Sequence, residues 1–301
     1  MAGDSRCCKK QNMLTDLDHR LRTLELKCRF PVKHLLAGEY HSIFKGRGVE
    51  FEDVRPYEPG DDVRTMEWKV TARTGTPHIK RYIEEREQFI YLVVDISASV
   101  LEDGNGKRRD TITEVCGMIT TAALNNNDRV GLILFTDELE LVISPAKGRQ
   151  HALRVMEALL TFQPRRKGTR FEAALDAIGH LARKRSVFFI ISDFLADDHL
   201  DEMAALATRH DVNAIHLIDP RYALSQCEGL LRIQDSESGV ESLVDLKLSR
   251  NEKGLHKKAL RTSMMNHGVN LMEIEAGQDC VSALATFFKS RQHRIDEETG
   301  G

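Results

Sequence analysis

Three oxygen-bearing side chains at alternate positions follow a run of apolar residues in the first third of the chain. Residues 89–94 are all apolar or aromatic, and Asp95, Ser97 and Ser99 come directly after them. Such a run predicts a strand covered on both faces, and open parallel sheets bind ligands where such strands end. Alternate side chains of an extended segment point the same way, so the carboxylate and the two hydroxyls can meet at one cation. Because all three donors are oxygens and only one is charged, we expect Mg²⁺ or Mn²⁺.

Two later segments offer donors of the same kind. Gly168 and Thr169 lie in a loop that leads into an amphipathic helical pattern, and a second apolar run at 187–191 is followed by Ser192 and Asp193. If both apolar runs are strands of one parallel sheet, Asp193 lies beside the end of the first strand. Each of these polar residues, taken alone, is better explained as a helix cap. Their joint order favours one shared metal site made of Asp95, Ser97, Ser99, Thr169 and Asp193.

These elements resemble the metal-ion-dependent adhesion site of von Willebrand factor A domains. The segment from Asp95 to Ser99 matches the first element of that site, Thr169 matches the second and Asp193 matches the third. The resemblance implies that the five residues hold a divalent ion, directly or through water. It also implies that one coordination position stays open for an aspartate or glutamate of a partner protein.

A second resemblance covers the segment before the first apolar run. Residues 46–64, GRGVEFEDVRPYEPGDDVR, and residues 67–73, EWKVTAR, are similar to the signature of a bacterial family called domain of unknown function fifty-eight. Members of that family are associated with MoxR-type AAA+ ATPases and are thought to help assemble, mature or remodel other proteins. The resemblance therefore implies a non-enzymatic adaptor with two partners, a MoxR-type AAA+ ATPase and a client protein that offers an acidic side chain.

The residues leave two other functions open, a metal-dependent phosphohydrolase and a purely structural interaction domain. A phosphoryl-transfer site of this type needs a second carboxylate two residues after the first, and position 97 is serine. Ser97 and Ser99 also lack the G-x-S-x-G turn that exposes a nucleophilic serine, and the sequence contains no G-x-x-x-x-G-K-[ST] phosphate loop. We therefore expect no catalytic activity.

From residue 89 onward, apolar runs alternate with amphipathic patterns. The predicted strands cover 89–95, 130–135, 139–143, 186–192, 212–218 and 270–274, and the predicted helices cover 108–125, 148–161, 171–184, 197–209, 251–267 and 279–290. This alternation is typical of an α/β fold with a doubly wound, mostly parallel sheet of the Rossmann type. The closely spaced second and third strands predict one antiparallel edge strand. We expect this domain to span 89–291, with an inserted hairpin at 220–250 and a disordered polar tail at 292–301.

Residues 1–88 are predicted to form a separate N-terminal unit. Leucine spacing predicts an amphipathic helix over 12–30, and turn residues at 58–62 and 74–77 predict hairpins in a β-rich module. Trp68 is the single tryptophan of the chain, and we expect it to anchor the packing of this module. We also expect a salt-bridge lattice that pins the module to the following domain, made by Arg55, Asp61, Asp62, Arg64, Lys69 and Arg73.

Composition and charge exclude several classes of protein. The 301 residues are 41% hydrophobic and 30% charged, enough for a large core, and the formal net charge is −3. The basic residues are scattered along the chain, so nucleic acid is not an expected partner. We expect the basic cluster at 165–167 to be a solvated loop that could steer an acidic partner protein. No apolar run is long enough to span a membrane, and we expect a cytoplasmic protein. The six cysteines form no C-x-x-C pair, which predicts neither zinc nor a disulfide framework.

Overall fold

The computed structural model describes residues 21–28, 50–83, 87–101, 106–196, 200–218, 230–234, 240–245 and 258–299, and the single positions 19, 32, 40 and 237. The strands within these ranges are β1 (Glu50–Pro56), β2 (His78–Ile83), β3 (Phe89–Asp95), β4 (Arg129–Phe135), β5 (Leu139–Ala146), β6 (Val187–Ser192), β7 (Asp211–Ile218), β8 (Leu230–Gln234), β9 (Glu241–Asp245) and β10 (Asn270–Glu275).

The helices lie mostly between the strands of the central sheet. They are α1 (Trp68–Thr74), α2 (Ala98–Leu101), α3 (Lys107–Asn125), α4 (Arg149–Thr161), α5 (Phe171–Leu181), α6 (Leu200–Ala207) and α7 (Cys280–Thr299). Further helical residues occupy 21–28 and 258–266, and a 3-10 turn covers Val63–Thr65.

Six strands form the central sheet, in the order β10-β7-β6-β3-β4-β5. The pairs from β10 to β4 are parallel, and β5 joins the edge antiparallel to β4. The predicted doubly wound, mostly parallel sheet with one antiparallel edge strand is therefore confirmed. From β3 the chain moves to β4 on one side and returns to β6 on the other, so the strand order reverses next to β3. In such sheets the carboxyl ends of the two strands at this point border a crevice in which ligands bind.

Strand β3 is buried on both faces, as its uninterrupted apolar run predicts. Ile90, Leu92 and Val94 point into a cluster that includes buried side chains of α3, α4 and α7. Tyr91 and Val93 point the opposite way, into a cluster with α5, α6 and the helical segment 258–266. Each apolar side chain of the strand is thus removed from water, and the first polar side chain, at its carboxyl end, is held in a rigid frame.

The N-terminal module differs from the predicted set of hairpins. Strands β1 and β2 pair antiparallel, but the chain between them forms the 3-10 turn and α1. Helix α1 begins where the side chain of Glu67 accepts a hydrogen bond from the amide of Lys69 at 3.2 Å, and it ends before Gly75, whose φ of 76° reverses the chain. Trp68 is 67% exposed, so the expectation that it anchors packing is wrong. It is the first residue of a short helix that has no buried residue.

The described bonds of the residues expected to form the lattice stay within this module, whereas Glu87 at its end pairs with Arg129 and Lys147 of the sheet domain. Arg55 binds Asp61 at 2.7 Å, and Asp62 accepts the amide of Arg64 at 2.9 Å, which caps the 3-10 turn. The side chains of Lys69 and Arg73 are exposed, as is that of Arg64, so the expected lattice does not extend to the sheet. Exposed pairs of this kind contribute little to stability, typically about 1 kcal/mol or less.

The described part of the 220–250 segment is a hairpin, as expected. Strands β8 and β9 pair antiparallel in a two-stranded sheet of their own, outside the central sheet. At the C-terminus, helix α7 continues to Thr299, so the disorder expected for 292–301 is wrong as far as that residue. Residues 292–299 contain neither glycine nor proline to end the helix, and the buried Arg291 holds it by donating to Asn213 at 2.7 Å.

Part of the predicted N-terminal helix over 12–30 is described. It is helical at 21–28, where Leu24 and Cys28 are buried, and the rest lies outside the described residues. Cys28, Cys116 and Cys280 are buried free thiols, and the other three cysteines lie outside the described ranges. Within the part of the chain that was searched for membrane spans, none of the helices combines the length and apolar character of one.

Candidate metal centre

The first group of candidate ligands lies at the carboxyl end of β3. Asp95 is the last residue of this strand and is completely buried. One of its oxygens, Oδ1, accepts the backbone amide of Ser97 at 2.9 Å, and the hydroxyl oxygens of Ser97 and Ser99 are 3.1 Å apart. The short helix α2 begins within this turn. The turn therefore brings the carboxylate and both hydroxyls together, as their alternate spacing predicts.

Asp193 reaches the same place from the neighbouring strand. Strand β6 runs parallel to β3, and Asp193 follows its last residue, Ser192. The hydroxyl of Ser192 donates to Oδ2 of Asp95 at 2.7 Å, which joins the ends of the two strands. Asp193 is 7% exposed; its Oδ1 accepts the amide of Leu195 at 3.3 Å, while its Oδ2 is buried without a hydrogen-bond partner.

Thr169 belongs to the loop between α4 and α5, and this loop is tied to the site by backbone hydrogen bonds. The amide of Ala98 donates to the carbonyl of Lys167 at 2.9 Å, and the amide of Arg170 donates to the carbonyl of Thr136 at 3.0 Å. The Thr169 hydroxyl donates to Glu237 at 2.8 Å. The residue at the N-terminal boundary of α5 is Arg170, which makes no side-chain cap, so the alternative that Thr169 caps this helix is wrong.

The alternative that Asp95 and Asp193 act as caps accounts for only one of the two oxygens of each aspartate. Asp95 and Asp193 each use one oxygen to accept an amide two residues further on, which stabilises the local turn. The remaining oxygen of Asp95 faces Ser192, and that of Asp193 has no hydrogen-bond partner. A buried carboxylate oxygen left in this way is costly unless a cation or a proton compensates it.

The electrostatics of the site show the same need for positive charge. Burial, followed by the charge of Asp193, raises the pKa of Asp95 from 3.8 to about 7. Burial is also the main cause that raises the pKa of Asp193, and hydrogen bonds from Leu195 and Ser99 oppose it. Arg108 is buried nearby, but it donates a hydrogen bond to the backbone carbonyl of Ser99. Near neutral pH, two adjacent carboxylates are therefore held in an environment that disfavours their charge.

These residues fit a hard divalent ion. Two carboxylates and three hydroxyls supply oxygen donors only, which suits Mg²⁺ or Mn²⁺ better than softer metals. Oδ2 of Asp193 is buried without a hydrogen-bond partner and so remains available to a cation. Among the residues searched, no three His, Cys, Asp or Glu side chains lie together in a metal-binding group.

A strained residue holds Asp193 in place. Phe194 has a φ of 50°, a left-handed conformation that is rare for an aromatic residue and costs about 1–3 kcal/mol. Its fully buried ring stacks on that of Phe171, with centroids 5.6 Å apart, and its amide donates to the Ser192 hydroxyl at 3.1 Å. Packing and hydrogen bonding therefore maintain a backbone turn that points Asp193 toward Asp95.

Three residues of this site are absent from the predicted set. Ser192 joins the two strand ends, Arg108 binds the serine turn from α3, and Glu237 binds Thr169 from the turn between β8 and β9. The serine could have been recognised because it precedes the aspartate at the end of an apolar run. The arginine and the glutamate carry no local signal, since each comes from an element whose position depends on the fold.

The basic cluster at 165–167 is an exposed loop, as expected. The amides of Arg165 and Arg166 donate to one carboxylate oxygen of Glu140 at 2.9 and 3.1 Å. This contact fixes the start of the loop that carries Thr169. The role of the cluster in steering an acidic partner stays a prediction.

The fold and site define a doubly wound α/β protein with a cluster of oxygen donors at the carboxyl edge of its sheet. The chain belongs to the family described as "Protein of unknown function DUF58", whose model matches residues 53–264. Uncharacterized proteins of Mycobacterium tuberculosis and Mycobacterium bovis are each 32% identical to it over 282 residues, covering 90% of this chain and 89% of theirs.

Solved structures resemble the chain at lower similarity. The conserved hypothetical protein BatB from Bacteroides thetaiotaomicron has a TM-score of 0.44 and 12% identity, covering 68% of this chain and 99% of that one. An aerotolerance-related membrane protein from Bacteroides fragilis has a TM-score of 0.44 and 15% identity, covering 69% and 99%.

Proposed function

We propose that this protein is a non-enzymatic adaptor that binds an acidic side chain of another protein through a bound Mg²⁺ or Mn²⁺. Asp95, Ser97, Ser99 and Thr169 would hold the ion directly or through water, with Asp193 as a further ligand or as acceptor of a bound water. The ion would supply the positive charge that recognises the partner's carboxylate. This is the arrangement that the resemblance to von Willebrand factor A domains implies.

One observation carries the proposal. Oδ2 of Asp193 is buried without a hydrogen-bond partner, beside a second fully buried carboxylate. A site that served only to cap turns would leave that oxygen in water or pair it with a donor. A divalent cation would explain both the orphaned oxygen and the placing of the Ser97 and Ser99 hydroxyls against the two acids.

The donor set also explains why the ion would attract an acid. Three of the five donors are neutral hydroxyls, so at most two negative charges offset the two positive charges of the ion. Burial of Asp95 and Ser97 makes the field of the ion strong on the side that remains open. An incoming aspartate or glutamate then completes the coordination, and binding depends on the metal.

The partners proposed are a MoxR-type AAA+ ATPase and a client protein that is assembled, matured or remodelled. This choice rests on what the resemblance of residues 46–73 to the family signature implies, since the family description itself assigns no function. The chain has no phosphate-binding loop of its own in its sequence, so the energy of ATP hydrolysis would come from the partner. A cytoplasmic location, proposed on the sequence, fits such an ATPase.

The decisive test combines metal binding with partner capture. Isothermal titration of the purified protein with Mn²⁺ is expected to show one site in the wild type and none in Asp95→Asn. Immobilised protein incubated with cytosol is expected to retain an AAA+ ATPase or a client in Mg²⁺ and to release the client in chelator. Asp176→Asn is the matched control, because it makes the same change at an exposed acid on α5.

The outcomes separate the proposed functions. Equal Mn²⁺ binding by the wild type and by Asp95→Asn would exclude this site as the metal centre. Metal-dependent hydrolysis of p-nitrophenyl phosphate that is lost in Asp95→Asn would instead favour a phosphohydrolase. Client capture that survives chelation, with the protein still folded by circular dichroism, would leave a structural interaction domain.

A further inference from the structure

The hairpin formed by β8 and β9 places an acidic side chain against the candidate metal centre. Glu237 lies in the turn between these strands, and its Oε1 accepts the hydroxyl hydrogen of Thr169 at 2.8 Å. Its other oxygen lies 3.8 Å from the position that a Cβ on Gly168 would take. The glutamate therefore contacts both residues of the Gly-Thr loop from a segment 68 positions away in sequence.

Burial shows on which side of the site Glu237 lies. Asp95 and Ser97 are fully buried and form the floor of the site, whereas Ser99 and Thr169 are partly exposed and form its mouth. Glu237 bonds to a residue of the mouth. Because Thr169 and Glu237 are both only partly buried, we place the glutamate on the exposed side of the site, from which an external acid would approach.

The charge of Glu237 reaches the centre of the site. It is among the causes that raise the pKa of Asp193, which is itself nine-tenths buried and has one oxygen without a hydrogen-bond partner. Without a cation, a third carboxylate at this position would be repelled. With a cation bound, the same carboxylate would be attracted.

The described part of the hairpin is not integrated into the central sheet. Its strands β8 and β9 pair with each other in a two-stranded sheet of their own. Val240 and Leu243 are 62% and 60% exposed, so these apolar side chains are not buried against the domain. Moving the hairpin would therefore break few apolar contacts at these positions.

We propose that Glu237 is an internal competitor for the metal site: it occupies the open side of the bound ion and must be displaced by the partner's acidic side chain. This inference rests on the proposed function, because it requires a cation held by Asp95 and its neighbours. It adds a regulatory step, since a partner binds only when it outcompetes a carboxylate that the chain itself supplies at high effective concentration.

The test uses the full chain, with Mn²⁺ and acetate as the probes. Water-proton relaxation measures how many exchangeable water molecules the bound Mn²⁺ carries. Glu237→Gln is expected to weaken Mn²⁺ binding about tenfold and to raise the relaxation effect per bound ion, because a water replaces the carboxylate. Acetate should then displace that water at a concentration at least about tenfold lower than in the wild type.

Glu241→Gln is the matched control within the same hairpin. Glu241 is exposed and pairs with Arg232 at 3.4 Å, so its amide variant should behave as the wild type in every measurement. Hydrogen exchange supplies a second readout: Mn²⁺ should slow exchange at 230–245 in the wild type and in Glu241→Gln, but not in Glu237→Gln.

Failure of this inference can be told apart from failure of the proposed function. If the wild type binds Mn²⁺, Asp95→Asn does not, and Glu237→Gln leaves relaxation, acetate response and hairpin exchange unchanged, the metal site stands and the internal competitor is refuted. If neither the wild type nor Glu237→Gln binds Mn²⁺, both are refuted.

Discussion

The replacement Asp95→Asn should stabilise the protein when no metal is bound, which is unusual for a change at a fully buried residue. Asp95 accepts hydrogen bonds from Ser97 and Ser192, but it is fully buried and the charge of the neighbouring Asp193 opposes its own. Asparagine has nearly the same shape and can accept one of these bonds, and it carries no charge. The variant therefore removes a repulsion and a desolvation cost while largely keeping the packing.

The magnitude and its pH dependence follow from the pKa of Asp95. Its pKa is raised from 3.8 to about 7 by burial and by Asp193. The folded protein therefore binds this proton more tightly than the unfolded chain, and the contribution to the free energy of unfolding falls as pH rises from about 4 to about 7. The slope is about 1.4 kcal/mol per pH unit, for a total of about 4 kcal/mol. Relative to the wild type, Asp95→Asn should thus gain about 2–3 kcal/mol between pH 5 and pH 8.

Urea unfolding in chelator, followed by far-ultraviolet circular dichroism, measures this difference. Tryptophan fluorescence is a poor probe here, since the single tryptophan is 67% exposed in the folded state. Saturating Mg²⁺ should offset much of this difference, because an ion present at about a hundred times its dissociation constant adds about 2.7 kcal/mol to the wild type alone. Parallel pH profiles for the wild type and Asp95→Asn, or equal stabilisation of both by Mg²⁺, would refute the reasoning.

Three further predictions concern aromatic side chains and their effect on stability. Phe194→Ala should lower the free energy of unfolding by about 3–5 kcal/mol in urea titrations, because a fully buried, stacked ring is lost. A loss below about 1 kcal/mol would contradict the role given to the packing of this ring. Trp68→Ala should change the same quantity by less than about 0.5 kcal/mol, since the ring is exposed; a larger loss would mean that it packs after all. Tyr40→Phe should lower the free energy of unfolding by about 1.5–3 kcal/mol at pH 8, because the buried hydroxyl donates to the Asp128 carboxylate at 3.0 Å. Thermal unfolding measures this loss, and an unchanged melting temperature would argue against that bond.

Sequence patterns predicted the central sheet well because its strands are buried on both faces. Uninterrupted apolar runs define β3, β4 and β6 within a residue or two, and nothing else in the chain competes with them for the core. The errors fall where burial does not constrain the chain. Helix α1 has no buried residue, and the last turns of α7 are polar, so neither carries a hydrophobic pattern. In both places helix-compatible residues and capping decide the structure.

The sequence by itself determined the local half of the site. The spacing of Asp95, Ser97 and Ser99 is enough to bring their side chains together, because residues two apart interact within a single turn. An apolar strand before Asp193 likewise determines that this acid lies at a sheet edge.

Only the tertiary structure decided which groups meet across the chain. The bond from Ser192 to Asp95 spans 97 positions, and the bond from Thr169 to Glu237 spans 68. The first depends on β6 pairing directly with β3, and the second on where a hairpin outside the central sheet comes to rest. Strand order and hairpin placement result from packing between distant segments, and local residue preferences do not encode that packing.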